Sequence, residues 1–300
     1  MASRRRSSRT HLLILALVAG CTVAPVGTNG TMPAATTTTS TTTPPSTTTT
    51  GATTTTTANA TTTTVTGELP EIDAEVRVPD GEGPFPAIVL VHGGAWVAGS
   101  PAGIRDLATY LTGEGFLTVN PSYRLAGDFP GFPFALDDIS CAVRYAAAHP
   151  DSDGTVAIVG HSAGAHLGAI VALTGDAYGG DCPIDGTGIP NKFVGMAGPY
   201  DVLRLGFLVV PFFGVGPVDD PDAWSAGNPQ GLTDENTDLQ SLIMIGELDG
   251  IVDDRFGVTF NGALLDSGSE SILEVVEGAR HTDLVNPAFV GALIATWLDR

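Results

Sequence analysis

Residues 67–300 predict an α/β domain with a mostly parallel central sheet and helices on both faces, and three observations lead there. Short Val/Ile/Leu runs alternate with Ala-rich stretches along this whole span. One run, 86–91 (PAIVLV), is apolar without interruption, as expected for a parallel strand buried on both faces. The span has the size of one ordinary domain, and 43% of the chain is hydrophobic, which supplies a substantial core.

The elements follow in order. The run 86–91 reads as a central strand because His92-Gly93-Gly94 breaks it. A helix is expected over 102–114, a strand over 116–120 and a helix over the Ala-rich 135–148. A strand over 155–159 then leads into a second Ala-rich helix from Ala163. Further strands are expected at 193–196, 241–245 and 272–276, with helices from Asp254 and from Pro287. Between them, 200–238 reads as a looser insertion whose Tyr200, Phe207, Phe212, Phe213 and Trp224 either line a pocket or join the core. Such alternation requires right-handed crossovers, and ligands then gather beyond the carboxyl ends of the strands.

Ahead of this domain the composition changes. Arg4 to Arg9 followed by an apolar 11–18 reads as a signal peptide over 1–20, too short to span a membrane. Val18-Ala19-Gly20-Cys21 resembles the lipobox of bacterial lipoproteins, which implies a lipid anchor at Cys21 and a cell-surface location, with simple secretion as the alternative. Residues 21–66 are Thr-rich, without an aromatic or acidic residue, and read as a disordered linker of roughly 40 Å as a flexible coil, a candidate for O-glycosylation. Removing the leader with its four arginines takes the formal charge from -20 to -24. Nucleic acid and anionic lipid headgroups are therefore poor partners, and a lipid anchor is the one expected route to a membrane. Cys141 and Cys182 remain as either a disulfide or two buried thiols.

Gly160-His-Ser162-Ala-Gly164 lies between an expected strand and an expected helix, the context in which a G-x-S-x-G turn lifts a serine hydroxyl above the sheet. Ser162 is the candidate nucleophile. A hydroxyl needs a base, and with the order Ser, acid, His, only His281 follows the candidate acids. Asp249, just after strand 241–245, is the candidate acid, with Glu247 and Asp253 as rivals. His92-Gly93-Gly94-Ala95 can turn backbone N–H groups towards a developing oxyanion, so Gly94 and Ala163 are the expected donors, assisted by Gly93. No H-E-x-x-H or comparable His/Cys cluster is present, and Asp219, Asp220 and Asp222 form no familiar ligand scaffold.

Together these residues resemble the hormone-sensitive-lipase-like and BD-FAE-like carboxylesterase branch of the α/β-hydrolase superfamily. His92–Ala95 is similar to its oxyanion motif, Ser122–Ala126 to its "YRLA" segment, and Phe132–Asp137 with Ala142–Tyr145 to the helix that follows. The likeness covers about 69–300. It departs at Ala95, where many members carry a third glycine, and in the short segment before the first central strand, where some members build a cap. The pocket roof is thereby left to 200–238. The resemblance implies an α/β-hydrolase fold and an exported serine carboxylesterase that hydrolyses short to medium acyl esters, small or polymer-linked, through an acyl-serine, with no cofactor. A peptidase, lactonase or polysaccharide deacetylase would use the same groups. A non-catalytic binding lipoprotein would be expected to lack one of them.

Overall fold

The computed structural model describes residues 69–127 and 130–300; the expected signal peptide, Thr-rich linker and Cys21 anchor lie outside the described residues. Seven strands form one sheet: β1 (Ala74–Arg77), β2 (Phe85–Val91), β3 (Leu117–Pro121), β4 (Ser152–His161), β5 (Lys192–Met196), β6 (Gln240–Gly246) and β7 (Ser271–Val276). Their order is β1-β3-β2-β4-β5-β6-β7. β1 runs antiparallel to β3, and every other neighbouring pair is parallel.

Side chains of a strand alternate between faces, and β2 shows what this does to an all-apolar run. Ala87, Val89 and Val91 join a core with α2 (Phe134–Ala148), α3 (Ala163–Thr174) and α7 (Arg255–Asp266). Ile88 and Leu90 join a second core with α1 (Arg105–Gly113) and α8 (Pro287–Leu298) on the opposite face. α3 is buried along Ala163–Leu173, which its lack of any polar stripe requires. The expected α/β-hydrolase architecture is thus present, with helices on both faces.

The structure adds three things. β1 was not expected: its four residues are half-buried and carry no apolar run, and Glu75 ties this edge to Arg77 and to Arg105 of α1. The 200–238 insertion holds three short helices, α4 (Val202–Leu205), α5 (Val210–Phe213) and α6 (Pro221–Ala226), each too brief to leave a periodic signal. Of its aromatics, Tyr200, Phe212, Phe213 and Trp224 are core, whereas Phe207 is 79% exposed. Cys141 of α2 and Cys182 form a disulfide with a Cα–Cα distance of 5.3 Å. Among the described residues no helix is long and apolar enough to cross a membrane.

Candidate active site

β4 ends at His161 and α3 begins at Ala163, so Ser162 makes the whole turn between them. It does so at φ 54° and ψ −121°, a conformation that side chains avoid and surrounding structure must enforce. Its N–H donates to the Met196 carbonyl at the end of β5 (2.8 Å), and its carbonyl accepts from the N–H groups of Ala165 and His166 (3.0 and 3.1 Å). Gly160 and Gly164 permit the sharp turn: a Cβ on the first would lie 2.5 Å from the Gly164 carbonyl oxygen, and one on the second would strike the Val91 and His92 carbonyls. Ser162 is only partly buried, and among the described residues its hydroxyl makes no hydrogen bond.

His281 opens the turn that follows β7, and its Nδ1–H donates to Asp249 Oδ2 at 2.8 Å. An ionised carboxylate requires a proton on Nδ1, and in the neutral ring Nε2 is then the acceptor. Asp249 Oδ1 accepts from the N–H groups of Ile251 (2.8 Å) and Val252 (3.0 Å), so both carboxylate oxygens are used. Burial would raise the Asp249 carboxyl, but the bonds from His281, Ile251 and Val252 outweigh it and hold its pKa below the ordinary value. The two side chains are 9% and 4% exposed, so the pair is sheltered from water. The rival acids are engaged elsewhere, Glu247 with the Gly278 N–H and Asp253 with Arg255.

His161, next to Ser162, has its ring 4.7 Å from that of His281 and donates Nε2–H to the His281 carbonyl (2.9 Å). Burial, then the nearby His281, push its pKa down to about 4, so it is neutral and serves as a spacer between the elbow and the histidine loop.

The loop after β2 packs onto the elbow, with a Cβ on Gly93 falling 3.0 Å from Ser162 Cβ. Gly94 has φ +136°, and a Cβ there would collide with the Ala98 carbonyl. Ala95 and Trp96 follow at φ 51° and 64°. Among the described residues the N–H groups of Gly93, Gly94 and Ala163 find no acceptor, although Ala163 is buried. Gly93 and Gly94 lie on the loop after β2 and Ala163 at the start of α3, so unpaired N–H donors on two adjoining turns are available to an acceptor.

The structure thus joins Asp249 to His281 and Gly93 to the Ser162 turn. Residue-by-residue reading passed over His166. It accepts from Trp96 Nε1–H on Nδ1 (3.2 Å) and donates Nε2–H to the Gly227 carbonyl (2.9 Å), linking the loop after β2, α3 and the insertion. Burial lowers its pKa to about 4. Its place one turn after Ser162 was the available signal. Among the described residues no group of three or more His, Cys, Asp or Glu side chains is arranged to hold a metal ion.

Comparison with known proteins bears on the family and the fold. The sequence model of the BD-FAE family matches residues 75–264. Esterase LipC of Mycobacterium tuberculosis (strain ATCC 25618 / H37Rv) is 33% identical over 126 residues, 39% of this chain and 31% of that protein. The chain spans about a third of the length of the first curated relatives it matches. Among solved structures, a truncated carbohydrate esterase from gut microbiota superposes with a TM-score of 0.65 at 20% identity, covering 75% of this chain and 90% of that one. Propionate-bound Est2 of the Planctomycetes species Thermogutta terrifontis gives a TM-score of 0.60 at 21% identity, covering 75% and 86%. At these identities the superpositions establish the fold.

Proposed function

The chain belongs to the BD-FAE family of α/β-hydrolases, and from that premise we propose that it is an exported serine carboxylesterase acting on short to medium acyl esters. The observation that carries this reading is the Asp249–His281 hydrogen bond beside the Ser162 elbow, onto which the loop with the unpaired Gly93 and Gly94 N–H groups packs. In the proposed cycle Ser162 Oγ attacks the ester carbonyl carbon while its proton passes to His281 Nε2. Asp249 holds the ring in the correct tautomer and stabilises the imidazolium. The carbonyl oxygen becomes negative and is met by the N–H groups of Gly94 and Ala163, with Gly93 assisting; each such donor contributes on the order of 10²- to 10³-fold in rate. His281 then protonates the departing alkoxide. Water attacks the acyl-Ser162, giving its proton to His281, and the acid leaves as the serine is restored. This chemistry uses no cofactor.

The leader supports export, and Cys21 supports anchoring by lipid, with residues 21–66 as tether and 67–300 as catalytic domain. Release of p-nitrophenol from acetate, butyrate and octanoate esters, beside Ser162→Ala, tests the enzymatic reading. Turnover abolished by the substitution supports it, and inactivity of both proteins towards all three esters sinks it. Detergent-phase partitioning that disappears with Cys21→Ser tests the anchor.

A further inference from the structure

The oxyanion loop is gripped from the side opposite its donors. A peptide unit is planar and trans, so its carbonyl and its N–H point in opposite directions, and fixing one aims the other. The His92 carbonyl accepts from the Tyr123 hydroxyl at 2.9 Å, and it shares a peptide plane with the Gly93 N–H. The Gly93 carbonyl accepts from His92 Nδ1–H at 2.8 Å, and it shares a plane with the Gly94 N–H. Beyond them the Gly94 carbonyl accepts from Val97 and Ala98 N–H (3.2 and 3.0 Å), which closes the turn.

The two side chains that make the first two bonds also hold each other. Their rings stack 4.3 Å apart at 18°, and both residues are buried. Burial lowers the His92 pKa, so a neutral ring supplies the donor, and it raises the Tyr123 pKa, so the phenol keeps its proton. Glycine peptides have little preference of their own. Without the grip, the 93–94 peptide could turn over and present an oxygen where the N–H is needed.

We infer that Tyr123 is a positioning residue for the oxyanion hole, acting with His92 to fix the peptide planes that carry the Gly93 and Gly94 N–H groups. This rests on the assignment of Ser162 and the glycine donors made above. If Tyr123 only filled space, Tyr123→Phe would change little, because the ring and its stack remain. If it positions donors, the loss falls on kcat and leaves KM alone, since charge on the acyl oxygen exists only at the transition state.

The experiment compares the full chain with Tyr123→Phe, His92→Ala, His92→Asn and Ser162→Ala, using p-nitrophenyl acetate and a methyl trifluoromethyl ketone. With the ketone, Ser162 Oγ adds to the carbonyl carbon, its proton passes to His281, and the former carbonyl oxygen carries the charge. Affinity for the ketone therefore reads the hole without turnover. Tyr123→Phe is expected to lower kcat per folded molecule about 10-fold, less than deleting a donor outright. Ketone affinity falls by the same factor while KM holds, and the unfolding midpoint drops by several degrees, as loss of one buried hydrogen bond requires. His92→Asn, which can still donate, recovers activity that His92→Ala loses. Wild-type kcat and ketone affinity in Tyr123→Phe overturn the inference, as does a loss confined to KM. Should Tyr123→Phe not fold, the His92 pair decides: equal kcat in the two variants overturns it, and recovery by Asn supports it. Ester turnover by Ser162→Ala is a separate result, which overturns the nucleophile assignment itself.

Discussion

His281 directs its Nδ1 proton at Asp249 Oδ2 across 2.8 Å, while the other carboxylate oxygen is held by the backbone of Ile251 and Val252. The acid is thus fixed before it fixes the base. An amide at 249 would keep the loop contacts through its oxygen and turn its NH2 towards Nδ1, which favours the tautomer with the proton on Nε2. Asp249→Asn is therefore expected to lower kcat by roughly 10⁴-fold with little change in KM. Steady-state kinetics check this, and a loss under tenfold would remove Asp249 from the role.

Ser162 sits at φ 54°, ψ −121°, in a region where a side chain costs about 1–3 kcal/mol. Ser162→Gly relieves that strain and adds roughly 0.5–1 kcal/mol of unfolded-chain freedom in the opposite direction. The expected result is an inactive protein more stable than the parent by about 1 kcal/mol, measured by urea unfolding. A variant less stable than the parent would show that the elbow stores less strain than the added chain freedom costs.

Gly94 combines φ +136° with a Cβ position occupied by the Ala98 carbonyl. Gly94→Ala must therefore displace the loop and carry its N–H away from Ser162. We expect kcat to fall on the order of 10²- to 10³-fold. Activity within threefold of the parent would place the oxyanion donors elsewhere.

His161 and His166 are buried neutral, with pKa values near 4 against 6.5 when unfolded. Between these values the unfolded chain binds protons that the native state refuses. Their contribution is thus complete above pH 6.5 and is lost as pH falls towards 4, by roughly 3 kcal/mol for each histidine. Urea unfolding from pH 7 to 4 should show stability declining with two histidine protons. His166→Asn should remove one of them, and an unchanged slope in that variant would contradict the assignment.

The Cys141–Cys182 bond closes a loop across a sequence separation of 41. Confining such a loop in the unfolded chain is worth about 4 kcal/mol. Cys182→Ser should lower the unfolding midpoint by roughly 8–16 °C while leaving kcat unchanged below it. A midpoint within 2 °C of the parent would mean that native-state relaxation cancels the entropic gain.

Much of the candidate site is legible in the chain because its signals are local. Ser162 announces itself through Gly160 and Gly164 two residues to either side, and Asp249 and His281 each stand directly after an apolar strand. Chain order then selects one histidine. β1 escaped because an edge strand half open to solvent carries no apolar run, and the aromatics of 200–238 stayed ambiguous because composition does not distinguish a pocket wall from a core.

The sequence by itself determined the α/β class, the succession of parallel strands and the identity of the candidate nucleophile, acid and base, since strand periodicity and turn chemistry are properties of short segments. Only the tertiary structure decided which of the insertion's aromatics are buried, that Cys141 meets Cys182, and that Tyr123 and His166 bond to the loop after β2. Those bonds join residues 31 and 70 positions apart, Tyr123 with His92 and Trp96 with His166. Contacts at such separations arise from how the sheet brings strand ends together, and no short stretch of chain encodes them.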